Sequence, residues 1–533
     1  MAESKNQLTQ SGVHLTRRRL LQASTALGAM VLTPWARADT NAPLIGKQRI
    51  QVSYGVRAGD VIQGRAMVWS RADRPARLLV DIATNSRFDN ARQFRGAVAL
   101  AESDYTAKLD VNDLPDDQQL FYRVVFEDVA DPRIESEPII GMFKTVPTQT
   151  RDVRFAWSGD VAGQGWGINP DIGGMRIFET MRQAEPDFFI HSGDSIYADN
   201  PIPAEQMLPD GHRWKNLTTE GKSKVADTLQ DYRSNHAYNL LDDNLRRFNA
   251  TVPMYAQWDD HEVYNNWSPG EHLPVDDPHA VKSANLLAAR SQRAFGEYMP
   301  IRPINGNPDR IYTRFPYGPT MTLFRLDMRS YRGTNSENKQ TKRSSEAAYL
   351  GDKQLLWLKQ ALRGSTATWK IIAADMPLGL IVTDQKQPIV TYENSSNGDG
   401  PPLGRELEIV DLLRFIKHNK IKNVVWLTAD VHYTAAHYYD PDRAQFQDFA
   451  PFWEFVTGPL NAGTFGPNPL DNTFGPLVIF QKVPPAGQSN LAPTEGMQFF
   501  GQVDIDARSQ ELTVSLKDLA GQTLYRKTLQ PDI

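Results

Sequence analysis

Ionisable side chains follow four apolar segments of this 533-residue chain, each at the point where a strand is predicted to end. In an open α/β sheet, ligands bind outside the carboxyl ends of the strands. We therefore expect these side chains to converge on a single site. The clusters are Ser158-Gly159-Asp160, His191-Ser192-Gly193-Asp194 with Tyr197, Asp259-Asp260-His261-Glu262 with Asn265, and Thr428-Ala429-Asp430-Val431-His432.

The chemistry of these clusters points to bound cations. Several carboxylates in one crevice would repel one another and would not all ionise without a cation between them. Oxygen ligands with a little imidazole suit cations such as Ca²⁺, Mg²⁺, Mn²⁺ and Fe(III). The chain contains no cysteine, which excludes thiolate sites, disulfides and cysteine nucleophiles. Two such cations can clamp a phosphoryl group and supply hydroxide near neutral pH.

The four clusters differ in how strongly they indicate a site. A lone Gly-Asp after a strand is commonly a turn or a helix cap, and Asp-x-His is also common. The run Asp259–Glu262 is more specific, because four adjacent ionisable residues behind an apolar strand are costly unless they are used. Its alternative is a solvated surface. All four clusters together, each at a strand end, favour a functional site over unrelated turns.

The order of the motifs is also characteristic. Gly-Asp, then Gly-Asp-x-x-Tyr, then His-Glu, then Asp-x-His resembles the calcineurin-like and purple-acid-phosphatase-like metallophosphoesterases and, more narrowly, the alkaline phosphatase D (PhoD) family. The most specific segments are Trp258–Val263 with Asn265-Asn266, and Thr428–His432; Leu326–Arg332 is similar to a further segment of that family. The resemblance implies a phosphomonoesterase and phosphodiesterase that uses Fe(III) with Ca²⁺.

The resemblance also implies a ligand set for the metals. The ligands carried over are Asp160, Asp194, Tyr197, Asn265, Asp430 and His432. Tyr197 would bind the ferric ion as a phenolate, and its alternative is a core tyrosine. Family members are expected to have a cysteine ligand near Ser158, whereas this chain has Asp160 there. An all-oxygen-and-nitrogen site leaves Fe(III), Mn and Zn open.

Other residues are candidates for acting on the substrate. His261 is the candidate general acid or phosphate-orienting group, since a protonated imidazole suits an alkoxide leaving group, and Asp260 beside it is the second catalytic candidate. Arg329 and Arg332 are weaker candidates for binding phosphate oxygens in bidentate fashion. A structural ion pair is the alternative for each arginine.

Alternating helices and strands must position these clusters. Apolar residues at helical spacing, each followed by a short apolar strand, predict three helix–strand units after residue 151. This alternation indicates an α/β sheet covered on both faces, and the resemblance implies layered mixed sheets with flanking helices. The units are Gly174–Met181 with Phe188–Ile190, Lys353–Leu362 with Trp369–Ala373, and Glu406–His418 with Lys422–Leu427.

The N-terminal region has a different pattern. Short aliphatic and aromatic runs separated by Asp, Asn, Gly and Pro predict a small all-β sandwich before the α/β part. We predict a signal at residues 1–38, the β-sandwich domain at 39–148, and the metallophosphoesterase domain at 149–533. Residues 201–235 read as an inserted loop with some helix, and the segment beyond Phe499 as a terminal hairpin.

The first 38 residues predict export. Arg17 and Arg18 precede a mildly apolar run, Ala23–Leu32, and a small-x-small cleavage site at Ala36–Ala38. The run is too short for a membrane helix, and the paired arginines resemble a twin-arginine signal. We expect a periplasmic or secreted protein that engages the twin-arginine export machinery and has no transmembrane segment when mature. The alternative is a cytosolic protein with a basic N-terminal helix.

Composition narrows the function further. The 58 basic and 63 acidic residues give a net charge of −5, which argues against a nucleic-acid-binding surface.

We predict an exported phosphoesterase in which metal-bound hydroxide attacks phosphorus in small phosphate esters or cell-envelope phosphodiesters. One alternative is a Ca²⁺-stabilised envelope protein that binds ligand without turnover. Another is a phospholipase or teichoic-type phosphodiesterase with the same chemistry.

Overall fold

The computed structural model of the chain describes residues 49–532, apart from residues 305, 386 and 387. The predicted twin-arginine signal lies outside these residues. None of the described helices is long and apolar enough to cross a membrane.

The described part of the chain alternates strands with six α-helices after an all-β beginning. The strands are β1 Val56–Ile62, β2 Arg65–Arg71, β3 Ala76–Ala83, β4 Arg92–Ala99, β5 Thr106–Val111, β6 Gln119–Asp128, β7 Ile139–Lys144, β8 Val153–Ser158, β9 Phe188–Ser192, β10 Glu205–Met207, β11 Arg213–Lys215, β12 Met254–Gln257, β13 Thr313–Tyr317, β14 Met321–Arg325, β15 Trp369–Ala373, β16 Val424–Thr428, β17 Thr434–Tyr439, β18 Phe452–Val456, β19 Pro476–Lys482, β20 Phe499–Ile505, β21 Leu512–Asp518 and β22 Thr523–Leu529. The helices are α1 Ile177–Gln183, α2 Leu229–Asn239, α3 Asp243–Thr251, α4 Ala284–Tyr298, α5 Asp352–Arg363 and α6 Glu406–His418.

Two large mixed sheets form the centre of the molecule. The first has nine strands in the order β22-β21-β20-β8-β9-β12-β1-β2-β5, and the second has seven in the order β13-β14-β15-β16-β18-β17-β19. Strands β8, β9, β12 and β1 run parallel in the first sheet, and β14, β15, β16 and β18 run parallel in the second. Antiparallel strands flank both parallel blocks. The prediction of layered mixed sheets is confirmed.

The two sheets pack face to face, and helices cover their outer faces. Successive side chains of a strand point to opposite faces. Phe155 and Trp157 of β8 therefore enter the core shared by the sheets, together with Leu427 of β16. Ala156 of β8 faces α1 to α4, and Trp426 of β16 faces α5 and α6. Each sheet is thus covered by the other sheet on one face and by helices on the other.

The N-terminal strands contribute to two sheets. Strands β3, β4, β6 and β7 form a separate four-stranded sheet, whereas β1, β2 and β5 extend the nine-stranded sheet beyond β12. Gly59 of β1 lies opposite Met254 of β12, where a Cβ atom would come within 2.7 Å of the Met254 carbonyl oxygen. The all-β character of this region is confirmed. The domain boundary near residue 148 stays a prediction.

The three predicted helix–strand units are present as α1 with β9, α5 with β15, and α6 with β16. The bounds of α6 match those predicted from the sequence. Leu412, Leu413 and Ile416 of α6 are buried, and Phe415 is partly buried. The predicted terminal hairpin is β20 and β21, which pair beside β8 and complete the nine-stranded sheet. Residues 201–235 contain the β10–β11 hairpin and lead into α2.

The strands that carry the polar clusters end close together. Strands β8, β9 and β12 are parallel neighbours in one sheet, and β16 lies in the sheet packed against it. Their carboxyl ends are Ser158, Ser192, Gln257 and Thr428. All four predicted clusters begin at or within two residues of these ends, which places them at one edge of the two-sheet core.

Candidate metal centre

The carboxylates and imidazoles of the four clusters meet in three overlapping groups. In each group, one potential ligand atom from every member lies within 4.8 Å of the others. Asp194 belongs to the first two groups and Asp260 to the last two, so the groups form one continuous site. The groups are Asp160, Asp194 and His432; Asp194, Asp260 and His261; and Asp259, Asp260 and Asp430.

The backbone is strained where it presents these side chains. Asp160, Asp194, Asp430 and His432 have φ angles of 67°, 49°, 70° and 59°, in the left-handed region. A residue with a side chain adopts this region at a cost of about 1–2 kcal/mol. Such strain clusters at functional sites, where the surrounding structure holds it. Here it turns four predicted ligands toward a common point just beyond the strand ends.

Glycines make room for two of the carboxylates. Gly193 has a φ of 103°, and a Cβ atom there would lie 2.4 Å from the Cβ of Asp259. The loop after β9 therefore approaches the loop after β12 only because residue 193 has no side chain. At Gly458, a Cβ atom would lie 2.0 Å from Asp160 Oδ2. The Asp160 carboxylate consequently packs directly against backbone.

Glu262 ties the loops after β9 and β12 together. Its carboxylate accepts hydrogen bonds from the backbone N–H groups of Asp194 (3.1 Å), Ser195 (2.6 Å) and Asp259 (2.7 Å). The Ser195 hydroxyl donates a fourth, at 2.6 Å. Burial raises the pKa of Glu262 to about 7, against these hydrogen bonds. The four hydrogen bonds to Glu262 hold the two predicted ligand segments in a fixed arrangement. The sequence motif alone did not reveal this role of Glu262.

His432 is oriented as a neutral ligand would be. Its Nδ1–H donates to the Gly463 carbonyl oxygen at 2.5 Å, which leaves the Nε2 lone pair directed at the site. Nε2 lies 2.7 Å from the Tyr197 hydroxyl and 3.7 Å from Asp160 Oδ1. Burial lowers the pKa of His432 to about 4. Tyr197 and His432 are thus brought together beside Asp160, as the predicted ligand set requires.

The site fits a bound cation. Asp160 Oδ2 is buried and has no hydrogen-bond partner among the described residues. Burial raises the pKa of Asp160, Asp194 and Asp430 well above the usual range for aspartate. A cation among these oxygens would supply the missing partner and favour the ionised carboxylates. The donor atoms are carboxylate and phenol oxygens with imidazole nitrogen, which suit hard or borderline metals.

His261 is held by a carboxylate that the sequence reasoning missed. Its Nδ1–H donates to Asp199 Oδ1 at 2.7 Å, and its ring lies 4.2 Å from the Tyr197 ring, centroid to centroid. Burial disfavours the charged imidazole, but Asp199, Asp260 and Asp194 outweigh it and raise the pKa of His261 well above the usual range. These carboxylates therefore favour the charged form of the imidazole. The only sequence signal for Asp199 was its position two residues after Tyr197.

Asp260, the second catalytic candidate, lies in the middle of the site. It belongs to two of the three groups, and its carboxylate accepts hydrogen bonds from the backbone N–H groups of His261 (2.8 Å) and Asn266 (2.5 Å). Burial opposes ionisation, but His261 and Arg329 lower the pKa of Asp260 to about 2. Asp260 is consequently ionised.

Asn265 lies next to Asp199 at the margin of the site. Its side chain is exposed, and its backbone N–H donates to Asp199 Oδ2 at 3.0 Å. Asn265 thus helps to position Asp199, while its predicted part as a metal ligand stays a prediction.

Arg329 and Arg332 are both buried. The Arg329 guanidinium pairs with Asp259 and with Glu393, each at 2.5 Å. Arg332 donates from Nη2 to the Asn335 side chain at 3.0 Å. For Arg329 the geometry supports the ion-pair alternative, and phosphate binding by either arginine stays a prediction.

Solved structures share this architecture. The chain matches a structure of PhoD with a TM-score of 0.67 and 21% identity, covering 92% of both chains. It matches purple acid phosphatase PPD1 from yellow lupin with a TM-score of 0.55 and 13% identity, covering 90% of this chain and 74% of that one. Two packed mixed sheets with acidic and imidazole side chains at the strand ends define a fold of the metallophosphoesterase class.

Sequence comparison places the chain within that class. The PhoD-like phosphatase model matches residues 155–516, and the model of the PhoD-like phosphatase N-terminal domain matches residues 38–147. The chain therefore belongs to the PhoD-like phosphatase family, as the motif order predicted. It is 32% identical to alkaline phosphatase D of Bacillus subtilis (strain 168) over 265 residues. That match covers 48% of this chain and 42% of the relative.

Proposed function

We propose that the protein is an exported, metal-dependent phosphoesterase that hydrolyses phosphate monoesters or diesters. The observation that carries the proposal is the continuous group of ligand atoms from Asp160 to Asp430, with the His261 imidazole beside Asp194 and Asp260. Family membership supports phosphate esters as the substrate class. A Ca²⁺-stabilised binding protein would need neither the His261 imidazole in this group nor the Asp199 carboxylate that holds it.

The residues that would hold the metals are defined by the three groups. Asp160, Asp194, Tyr197 and His432 would form one end, and Asp194, Asp260 and Asp430 would continue the site. Bound metal ions would supply positive charge for the phosphoryl oxygens and lower the pKa of water. Fe(III) with Ca²⁺ is the assignment we propose, on the family resemblance. Because no thiolate is available, Mn and Zn are the alternatives for the same oxygen and nitrogen donors.

His261 would assist departure of the leaving group. Its Nδ1–H is engaged by Asp199, so the proton available for transfer is on Nε2. As the bond between phosphorus and the leaving oxygen breaks, that oxygen takes the Nε2 proton and leaves as an alcohol. The Asp199 carboxylate stabilises the imidazolium before this transfer and fixes the direction of the ring. Asp260 and Asp194 add to that stabilisation.

The location and substrates of the enzyme are also proposals. Export by the twin-arginine route rests on Arg17, Arg18 and the short apolar run that follows them. An exported phosphoesterase would meet small phosphate esters and the phosphodiesters of the cell envelope. The same metal centre would act on both substrate classes.

The direct test is hydrolysis of p-nitrophenyl phosphate and bis(p-nitrophenyl) phosphate by purified protein before and after chelation. We expect turnover that chelation abolishes and that iron with Ca²⁺, or Mn²⁺, restores. The ratio of the two rates would identify the preferred ester class. Absence of turnover of either ester, with metal demonstrably bound, would contradict the proposal and favour a binding protein.

A further inference from the structure

A buried guanidinium lies behind the metal centre. Arg329 is 0% exposed and follows β14 by four residues. Strands β14, β15 and β16 are parallel neighbours, and Asp375 and Asp430 each lie two residues beyond the ends of β15 and β16. Three adjacent strands of the seven-stranded sheet therefore bring one arginine and two aspartates to the same edge.

Arg329 faces five carboxylates. Its closest partners are Asp259, which accepts from Nε at 2.6 Å, and Glu393, 2.5 Å from Nη1. The remaining three surround it more loosely. These are Asp375 at 3.5 Å, Asp430 at 3.7 Å and Asp260 at 4.0 Å, measured from a guanidinium nitrogen to a carboxylate oxygen. Asp260 and Asp430 belong to the metal groups, so Arg329 connects those groups with carboxylates behind them.

The partners of Arg329 depend on it for neutralisation. Asp375 is fully buried, and neither of its carboxylate oxygens has a hydrogen-bond partner among the described residues. Glu393 is 2% exposed. Without a fixed cation, these groups would compete with Asp260 and Asp430 for the metal ions or rearrange to separate their charges. Nε donates a hydrogen bond to Asp259, and the remaining contacts are ion pairs without hydrogen-bond geometry. The guanidinium spreads its charge over three nitrogen atoms, whereas an ammonium group concentrates it on one.

We propose that Arg329 is a positioning residue for the metal centre, fixing Asp259, Asp260 and Asp430 by pairing with them and with Asp375 and Glu393. In this role Arg329 acts on the carboxylates that surround its guanidinium and not on the substrate. The inference rests on the proposed function only in that the site binds metal ions. It adds a residue outside the ligand set that determines how tightly those ions are held.

The test is Mn²⁺ binding to metal-free full-length mature protein, with free Mn²⁺ followed by electron paramagnetic resonance. We expect Arg329→Met to bind Mn²⁺ about tenfold to a hundredfold more weakly than the wild type. Arg329→Lys keeps the positive charge but lacks the planar guanidinium, so its Mn²⁺ affinity should lie between those of the wild type and Arg329→Met. With the activating metal at saturation, kcat should fall more than KM rises, because the substrate contacts are intact.

Arg325 provides the matched control. It is 1% exposed, lies four residues earlier, and pairs with Asp60 at 2.8 Å away from the metal groups. Arg325→Lys and Arg325→Met should lower thermal stability but leave Mn²⁺ affinity within about twofold of the wild type. If Arg329→Met does not fold, Arg329→Lys compared with Arg325→Lys decides the same question.

Two results would overturn the proposal. One is a folded Arg329 variant that binds Mn²⁺ as tightly as the wild type, or more tightly. The guanidinium would then not position the ligands and would act only by repelling the metal ion. The other is an equal loss of affinity in the Arg325 variants, which would indicate general destabilisation. Wild-type protein that binds Mn²⁺ but hydrolyses no ester would refute the proposed function alone. Wild-type protein that binds no metal would refute both proposals.

Discussion

Asp199 Oδ1 lies 2.7 Å from His261 Nδ1, and both side chains are almost completely buried. The two residues come from the loops after β9 and β12, which Glu262 holds together through three backbone N–H groups. The Asn265 backbone N–H donates to the other oxygen of Asp199. This arrangement fixes the direction of the imidazole and favours its charged form, as a proton donor to a leaving group requires.

Replacing Asp199 by asparagine should therefore weaken catalysis in a way that depends on the leaving group. The change removes the largest favourable charge acting on His261 and lowers its pKa. We expect kcat/KM for an alkyl phosphate to fall about tenfold to a hundredfold, with a smaller loss for p-nitrophenyl phosphate, whose leaving group needs less protonation. The high-pH limb of the rate profile should move to lower pH, because His261 loses its proton earlier.

A second Asp–His pair offers the control for this experiment. Asp210 accepts from the His212 ring at 2.9 Å, but both side chains are exposed and lie in the β10–β11 hairpin. Asp210→Asn should leave both substrates and the pH profile unchanged. An equal loss for alkyl and aryl esters in Asp199→Asn would contradict the assignment of His261 as a proton donor.

Asp194 is the residue on which metal content should depend most. It is shared by two groups of ligand atoms, and asparagine would keep its shape while removing its charge. We expect Asp194→Asn to abolish measurable turnover and to reduce the bound metal per chain, as determined by elemental analysis. Asp242→Asn, a buried aspartate that caps α3 away from the site, should keep both properties. Wild-type activity in Asp194→Asn would refute the metal assignment.

Local patterns were sufficient to predict the elements that carry the site. Apolar residues at helical spacing located α5 and α6, and apolar runs followed by polar residues located the ends of β8, β9 and β16. These signals are short-range, because each depends on a few neighbouring residues. Six of the seven residues in the three groups were predicted from the motifs as metal or catalytic residues, and Asp259 belongs to one of the same motifs.

Long-range pairing could not be predicted in the same way. The parallel pairing of β1 with β12 joins the N-terminal region to the rest of the nine-stranded sheet. The need for glycine at position 59 is evident only once Met254 is known to lie opposite it. Asp375 and Glu393 become part of the site through Arg329, and neither lies in a recognisable motif. Asn265, predicted as a ligand from its motif position, has an exposed side chain, and its part as a ligand stays a prediction.

A buried histidine should make stability depend on pH. His236 on α2 stacks on Tyr298 with centroids 5.4 Å apart, and its Nε2 has no hydrogen-bond partner among the described residues. Burial, with Arg57 and His191 nearby, lowers its pKa to about 3 from 6.5. The unfolded chain therefore binds a proton that the folded chain does not, and stability falls as pH drops below 6.5.

His236→Phe should reduce the number of protons that the chain binds on unfolding at acidic pH by about one. Its free energy of unfolding, relative to the wild type, should improve by about 1.4 kcal/mol for each pH unit between pH 6 and 4. Urea unfolding at pH 8 and pH 5 measures the change, and the exposed His212→Phe serves as the control. An identical difference between variant and wild type at both pH values would contradict the prediction.

Gly193 should be among the least replaceable residues of the loop after β9. Its φ of 103° costs an alanine about 1–2 kcal/mol, and the new Cβ would lie 2.4 Å from Asp259 Cβ, which adds about 1–3 kcal/mol of overpacking. Gly211, with a φ of 84° and nothing within 4 Å of the added Cβ, isolates the backbone cost alone. We expect Gly193→Ala to lower both the free energy of unfolding and the Mn²⁺ affinity, because displacement of this loop separates Asp194 from Asp259 and Asp260. Gly211→Ala should lower stability slightly and leave the Mn²⁺ affinity unchanged. Equal behaviour of the two variants would show that close approach at Gly193 does not position the metal centre.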